Sequence, residues 1–202
     1  MFVSHQFKLL FFEVPRTGSR SASKALAMLD PDSITAVKRA NETQAYSYHL
    51  YETKTVADHP DYRLIAAHRN PYERLYSHYK YRSRIGNPDF LKTLSFAEYV
   101  QWMCDPKSRP DLVGANLDTP IVEMLPVDRV DFWLSFDSLN ADWVALSAFL
   151  NIKLPAIPKI NASMPSEIER PFSRELAAQV EHRFKADFDY FGYSVDSWST
   201  VT

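Results

Sequence analysis

The sequence predicts an α/β fold built on a central parallel sheet, and three observations lead there. Short apolar runs, Phe7 to Val14, Tyr62 to Ala67 and Val130 to Phe136, read as buried strands. Each runs into a turn and then a helix-favouring stretch, beginning near Ser23, Asn70 and Asp137. Strand-turn-helix units repeated in this way suit a parallel sheet, whose carboxyl edge is where open α/β folds bind ligands.

The first unit is the most informative. Phe7 to Val14 ends abruptly in Pro15-Arg16-Thr17-Gly18-Ser19-Arg20-Ser21, and a helical run, Ser23 to Leu29, follows. A tight loop before a helix collects backbone N–H groups and hydroxyls at the positive end of the helix dipole. Arg16 and Arg20 add full charge, so the segment reads as a cradle for a phosphate or sulfate group. It is not a nucleotide P-loop of the usual kind, because it has a single glycine, Gly18, and no lysine.

Asp30-Pro31-Asp32 breaks the first helix, and Ser33 to Val37 reads as a short second strand. Residues 38–60 are polar, with Tyr46, Tyr48, His49 and Tyr51 clustered, and read as irregular. After the strand at Tyr62 to Ala67 comes His68-Arg69-Asn70-Pro71-Tyr72-Glu73-Arg74-Leu75-Tyr76-Ser77. Asn70 is a good N-cap and Pro71 suits the first helical position. Arg69 then sits at the carboxyl end of a strand, and Ser77 lies about two turns down the helix on a face that can turn to the same edge. Arg74 reads as a helix-surface residue in a salt bridge, with a third anion contact as the alternative.

Ser95-Phe96-Ala97-Glu98 is a capping box, so a helix starts at about Phe96. Residues 105–120 form a long loop of the kind used as lids or acceptor-binding segments. Val130 to Phe136 reads as another buried strand, and Asp137-Ser138-Leu139-Asn140 caps a helix with Trp143, Leu146, Phe149 and Leu150 on one face. The last helix, Ser173 to Phe191, carries Leu176, Val180, Phe184 and Phe188 at four-residue spacing and stops at Gly192.

The bulk numbers narrow the classes. At 202 residues, with 46% hydrophobic and 14% aromatic residues, the chain suits one globular domain over residues 1–202. A formal charge of −2 gives no global field to recruit nucleic acid or an anionic membrane. The single cysteine, Cys104, excludes an internal disulfide and a cysteine-based zinc site, and no metal-ligand cluster stands out. No apolar run approaches the about 20 residues that span a bilayer, and the first residues lack a signal-peptide pattern. A cytoplasmic protein is expected, with oligomeric state open.

Two of these stretches carry a resemblance. Pro15-Arg16-Thr17-Gly18-Ser19-Arg20-Ser21 resembles the 5′-phosphosulfate loop of the sulfotransferases, written Pro-Lys-Thr-Gly-x-x-Ser, with Arg16 in place of the lysine. Arg69-Asn70-Pro71 through Arg74, Ser77 and Tyr79 resembles their 3′-phosphate motif, especially in the carbohydrate branch that holds the heparan and uronyl 2-O-sulfotransferases. Phe136-Asp137-Ser138-Leu139, Asn161-Ala162-Ser163 and the ending Asp187 to Tyr193 are similar to further family segments.

The resemblance implies a three-layer α/β sandwich like that of the P-loop kinases. It implies sulfuryl transfer from 3′-phosphoadenosine 5′-phosphosulfate (PAPS) to an acceptor hydroxyl on a small molecule or glycan, with no metal. Thr17, Gly18, Ser19, Arg20 and Ser21 are then expected to hold the 5′-phosphosulfate, Arg69 and Ser77 the 3′-phosphate, and Arg16 the charge on the leaving oxygen. Arginine supplies that charge but donates no proton at working pH.

A general base should titrate near the operating pH, which favours histidine. His5, His59 and His182 read as solvated, His78 as structural and His68 as a possible lining residue. By resemblance to the 2-O-sulfotransferases, His49 is the first candidate, with Glu13 and Glu52 as carboxylate alternatives. Two other readings stay open: a nucleotide-binding, kinase-like enzyme, and a non-catalytic binder of PAPS or its product 3′-phosphoadenosine 5′-phosphate (PAP).

Overall fold

The computed structural model describes residues 1–34, 54–85, 93–105, 119–158 and 171–201. In chain order its elements are β1 (Phe2–Ser4), β2 (Leu9–Phe12), α1 (Ser19–Leu29), β3 (Arg63–His68), α2 (Pro71–Ile85), α3 (Phe96–Cys104), α4 (Ile121–Met124), β4 (Val130–Ser135), α5 (Leu139–Leu150) and α6 (Arg174–Phe191). The fold is mixed α/β with a four-stranded, mostly parallel sheet, as the sequence predicts. The chain divides into two compact units, one of Met1–Arg69 and Leu125–Asn161, the other of Asn70–Met124 and Ala162–Thr202.

The first unit holds the sheet, in the order β1-β2-β3-β4. β2, β3 and β4 run parallel, with Phe12 beside Ala66 and His68 beside Ser135. β1 is antiparallel to β2, an arrangement the sequence reading missed. It took Phe7 to Val14 as one strand, but Lys8 adopts a left-handed φ of 48° and the Ser4 hydroxyl accepts the Phe7 N–H, so a hairpin turn fills residues 5–8. Of the expected strand Ser33 to Val37, Ile34 makes one antiparallel bridge to Val3, and residues 35–37 lie outside the described residues.

Phe2, Phe11, Ile65 and Leu134 of the strands pack with Ala22, Ala25 and Leu26 of α1 and with Trp143 and Leu146 of α5. Each large apolar side chain buried this way stabilises the unit by about 1.5–3 kcal/mol. Phe149 departs from the expected buried face of α5: it is 44% exposed, with its ring tilted against Phe132 at 5.4 Å and covered by the Arg63 guanidinium.

The second unit is helical. Its core is aromatic, with Phe96 edge-on to Phe172 at 4.9 Å and to Tyr76 at 5.2 Å, and Tyr72 edge-on to Phe172 at 5.2 Å. Val180, Phe184 and Phe188 of α6 are buried in it, as their spacing indicated. The capping box at α3 is present: Glu98 N–H donates to the Ser95 hydroxyl and Ser95 N–H to the Glu98 carboxylate. Asn70 Oδ1 accepts the Tyr72 N–H at the start of α2.

Arg74 is not on the helix surface. It is 1% exposed, donates to the Thr119 carbonyl at 3.1 Å and pairs with Asp187 of α6 at 3.9 Å. Asp187 in turn accepts the Ile121 and Val122 N–H groups, at 2.8 and 3.0 Å, so the first amides of α4 have a partner. Burial pushes the Asp187 carboxyl up from its ordinary range, and Arg74 is the largest influence pulling it back.

Arg74→Met leaves that carboxylate buried without its cation. It is expected to lower unfolding stability by about 3–5 kcal/mol in urea titrations. Arg74→Met combined with Asp187→Leu should recover a large part of the loss, because no charge is then stranded.

Candidate functional site: the loop between β2 and α1

The carboxyl edge of the parallel strands places three chain segments together: residues 13–18 after β2, Arg69 after β3, and Phe136 after β4. The Phe136 N–H donates to the His68 carbonyl at 3.0 Å, so the β3 and β4 exits are tied by the backbone.

The loop is shorter than the sequence suggested. α1 begins at Ser19 rather than Ser23, so Ser19, Arg20 and Ser21 form its first turn. Gly18 is the N-cap in a left-handed conformation, φ 77°, and contributes no side-chain cap. A glycine followed by Ser-Arg-Ser carries weak helix signals, which is why the helix start is not evident at Ser19 from local pattern.

Arg16 also has a left-handed φ, 68°, which a non-glycine residue adopts at a cost of the order of 1–3 kcal/mol. Two hydroxyls stabilise the turn. Thr17 Oγ1 and Ser19 Oγ both donate to the Val14 carbonyl, at 2.8 and 2.6 Å, and Thr17 is wholly buried. A hydroxyl has one proton to give. Their protons are therefore used inside the loop, and the donors left at the α1 end are mainly backbone N–H groups. The first N–H groups of a helix lack intrahelical partners, and the first turn of α1 has no acidic residue to repel an anion.

Arg69 lies against this turn. Its Nη1 donates to the Arg16 carbonyl at 3.4 Å, and its guanidinium carbon stands 3.7 Å from the centre of the Phe136 ring. The same ring reaches Gly18: a Cβ placed there would be 3.3 Å from Phe136 Cδ2 and 3.0 Å from Leu139 Cδ2. In the sequence Phe136 stands out only as part of a turn. The available signal was an aromatic residue directly after a strand at the binding edge.

Among the other expected site residues, Ser77 is buried on α2 in the second unit, 3% exposed. Arg20 is exposed on the first turn of α1. His49 and Glu52 lie outside the described residues, as does the Asn161-Ala162-Ser163 segment. The Glu13 carboxylate accepts the Ser23 hydroxyl of α1. His78 is buried; its Nε2 accepts from Arg82 Nε at 2.9 Å, so its Nδ1 carries the proton and donates to the Tyr99 hydroxyl. That is a structural role, as expected. His5 and His59 form an aromatic group with Tyr62.

His68 ends β3 with its ring edge-on to Trp133 at 5.9 Å. Burial pushes its pKa down to about 4, against a smaller opposing pull from Asp142. It is neutral at pH 7, but so depressed a value makes it a weak base for abstracting an acceptor proton.

A model of the sulfotransferase family matches residues 1–194 of the chain. No curated protein and no solved structure matches it.

Two measurements test the site's geometry. The unfolded chain takes up a proton at His68 near 6.5 and the folded chain only near 4, so this group's contribution to stability is full above about 6.5 and is lost as pH falls toward about 4. Urea midpoints followed across that window should fall more steeply for the wild type than for His68→Gln. Gly18→Ala, strained by its φ and by Leu139, should lower stability by about 1–2 kcal/mol. Gly192→Ala, with a similar φ but nothing within 4 Å, should cost less.

Proposed function

The chain belongs to the sulfotransferase family, and on that premise we propose that it moves a sulfuryl group from PAPS to an acceptor hydroxyl on a carbohydrate, in a cytoplasmic setting and within one functional domain. The observation that carries the donor assignment is the Arg16–Gly18 turn with Arg69 against it. The turn opens on an acid-free helix N-terminus, and Arg69 brings a permanent cation to the same edge. These features suit an anionic group of phosphate or sulfate geometry.

When bound, PAPS supplies an activated sulfur whose bond to the 5′-phosphate oxygen breaks as the bond to the acceptor oxygen forms, leaving PAP. The residues have separate tasks. The N–H groups of Thr17, Gly18, Ser19 and Arg20 hold and orient the 5′-phosphosulfate, with Ser21 assigned through its hydroxyl because its N–H already donates to the Gly18 carbonyl at 3.0 Å, and the fixed dipole of α1 favours the charge that gathers on the bridging oxygen. Arg16 adds a full charge to that oxygen without giving up a proton. Arg69 and Ser77 are assigned to the 3′-phosphate on the strength of the second motif, where a guanidinium fork matches the phosphate oxygens.

The acceptor proton goes to a base, and His49 is the residue we assign. The low pKa of His68 argues against it as the rival, and Glu13 already accepts a hydroxyl of α1. The carbohydrate acceptor follows from the likeness of the second motif to the carbohydrate branch. The transfer as written requires no metal.

Calorimetry with PAP, AMP and ATP tests the donor. PAP should bind more tightly than either, and Arg69→Ala should weaken PAP by about 10- to 100-fold while changing AMP little. Preference for ATP, or no nucleotide binding, would overturn the reading. Transfer of radiolabelled sulfate from PAPS to a panel of oligosaccharides then tests the chemistry. His49→Ala should abolish turnover and leave PAP affinity within about twofold.

A further inference from the structure

The position of Phe136 carries an inference about how the two ends of the nucleotide are read. Its ring face stacks on the Arg69 guanidinium, with 3.7 Å from the guanidinium carbon to the ring centre. Its edge closes over Gly18, the left-handed residue at the head of α1. Arg69 meanwhile reaches the same loop by a second route, through Nη1 and the Arg16 carbonyl. One aromatic ring thus touches both the arginine after β3 and the loop after β2, and its own backbone N–H is fastened to His68, the residue before Arg69.

A ring stacked on the face of a guanidinium restrains the long arginine side chain yet uses none of its in-plane N–H donors. An arginine restrained in this way loses less freedom when it grips an anion. Phe136 is half-buried, so the contact is partly shielded from water and stronger than a fully exposed one. Room for the ring depends on Gly18, because a side chain there would press on Phe136 and Leu139.

We infer that Phe136 is a positioning residue that aims Arg69 at the 3′-phosphate and ties that arginine to the 5′-loop at Gly18. The inference rests on the nucleotide reading above. It assigns Phe136 no contact with the nucleotide: the ring acts through Arg69 and Gly18. It predicts that the benefit of a 3′-phosphate is diminished when the ring is removed, even though every residue assigned to the phosphates remains.

The test is the ratio of the AMP to the PAP dissociation constant, measured by calorimetry for the wild type, Phe136→Leu and Phe136→Tyr. The ratio isolates the 3′-phosphate, and simple loosening of the fold weakens both nucleotides and leaves it unchanged. Phe136→Leu should lower the ratio by roughly 3- to 10-fold, and Phe136→Tyr, which keeps the ring, should hold it within about twofold of the wild type. Phe136→Met carries the same expectation if the leucine variant does not fold. An unchanged ratio in the leucine or methionine variant, or a ratio that falls as far with tyrosine as with leucine, overturns the role of Phe136 and leaves the nucleotide assignment standing. A wild type that does not prefer PAP to AMP overturns both.

Discussion

The constraint on which the rest depends is the parallel alignment of β2, β3 and β4. Three strands running the same way must release their following segments at one edge, and the register decides which residues meet there. Phe12 lies beside Ala66 and His68 beside Ser135, so the turn at Arg16, the Arg69 side chain and the Phe136 ring come within contact of one another. A slip of one residue would send each side chain to the opposite face of the sheet. The apolar content of the strands is what prevents it, because Phe11, Ile65 and Leu134 must all enter the same core.

The turn at that edge is built to resist its own strain. Arg16 and Gly18 both adopt left-handed conformations, and the bonds that offset this come from inside the protein: two hydroxyls on the Val14 carbonyl and one guanidinium on the Arg16 carbonyl. A loop held this way does not need a ligand to take its shape. Preorganised N–H donors stabilise developing charge better than donors that must first rearrange. The glycine serves two purposes there, since its φ is accessible without a Cβ and its missing side chain leaves space for Phe136.

What could be read from sequence follows how local each signal is. The capping box at Ser95 and Glu98, the Asn70 cap and the apolar spacing of Val180, Phe184 and Phe188 are fixed by near neighbours, and the structure has them. Features set by distant residues were misread or missed. Arg74 resembles any charged helix residue until Asp187 and Thr119, far along the chain, are placed beside it. Phe149 has the spacing of a core residue, yet Arg63 and Phe132 cover it only in part. The reading of the loop as an anion cradle draws only on its own residues and its place before a helix. That Thr17 and Ser19 turn their hydroxyls toward Val14 depends on a backbone path that two left-handed residues create, and no local pattern announces it.

The two compact units are not consecutive halves of the chain. The first is made of Met1–Arg69 and Leu125–Asn161, and the second takes the segment between them and the segment after. β3 is one partner of β4, yet α2, α3 and α4 are synthesised between them. During translation the sheet therefore waits for its last strand while a largely helical segment leaves the ribosome. The helices of that segment also lack α6, the element that brings Val180, Phe188 and Asp187 to their core. Neither unit can close until its later segment has been made, so loop-closure entropy as well as local helix formation enters the completion of both.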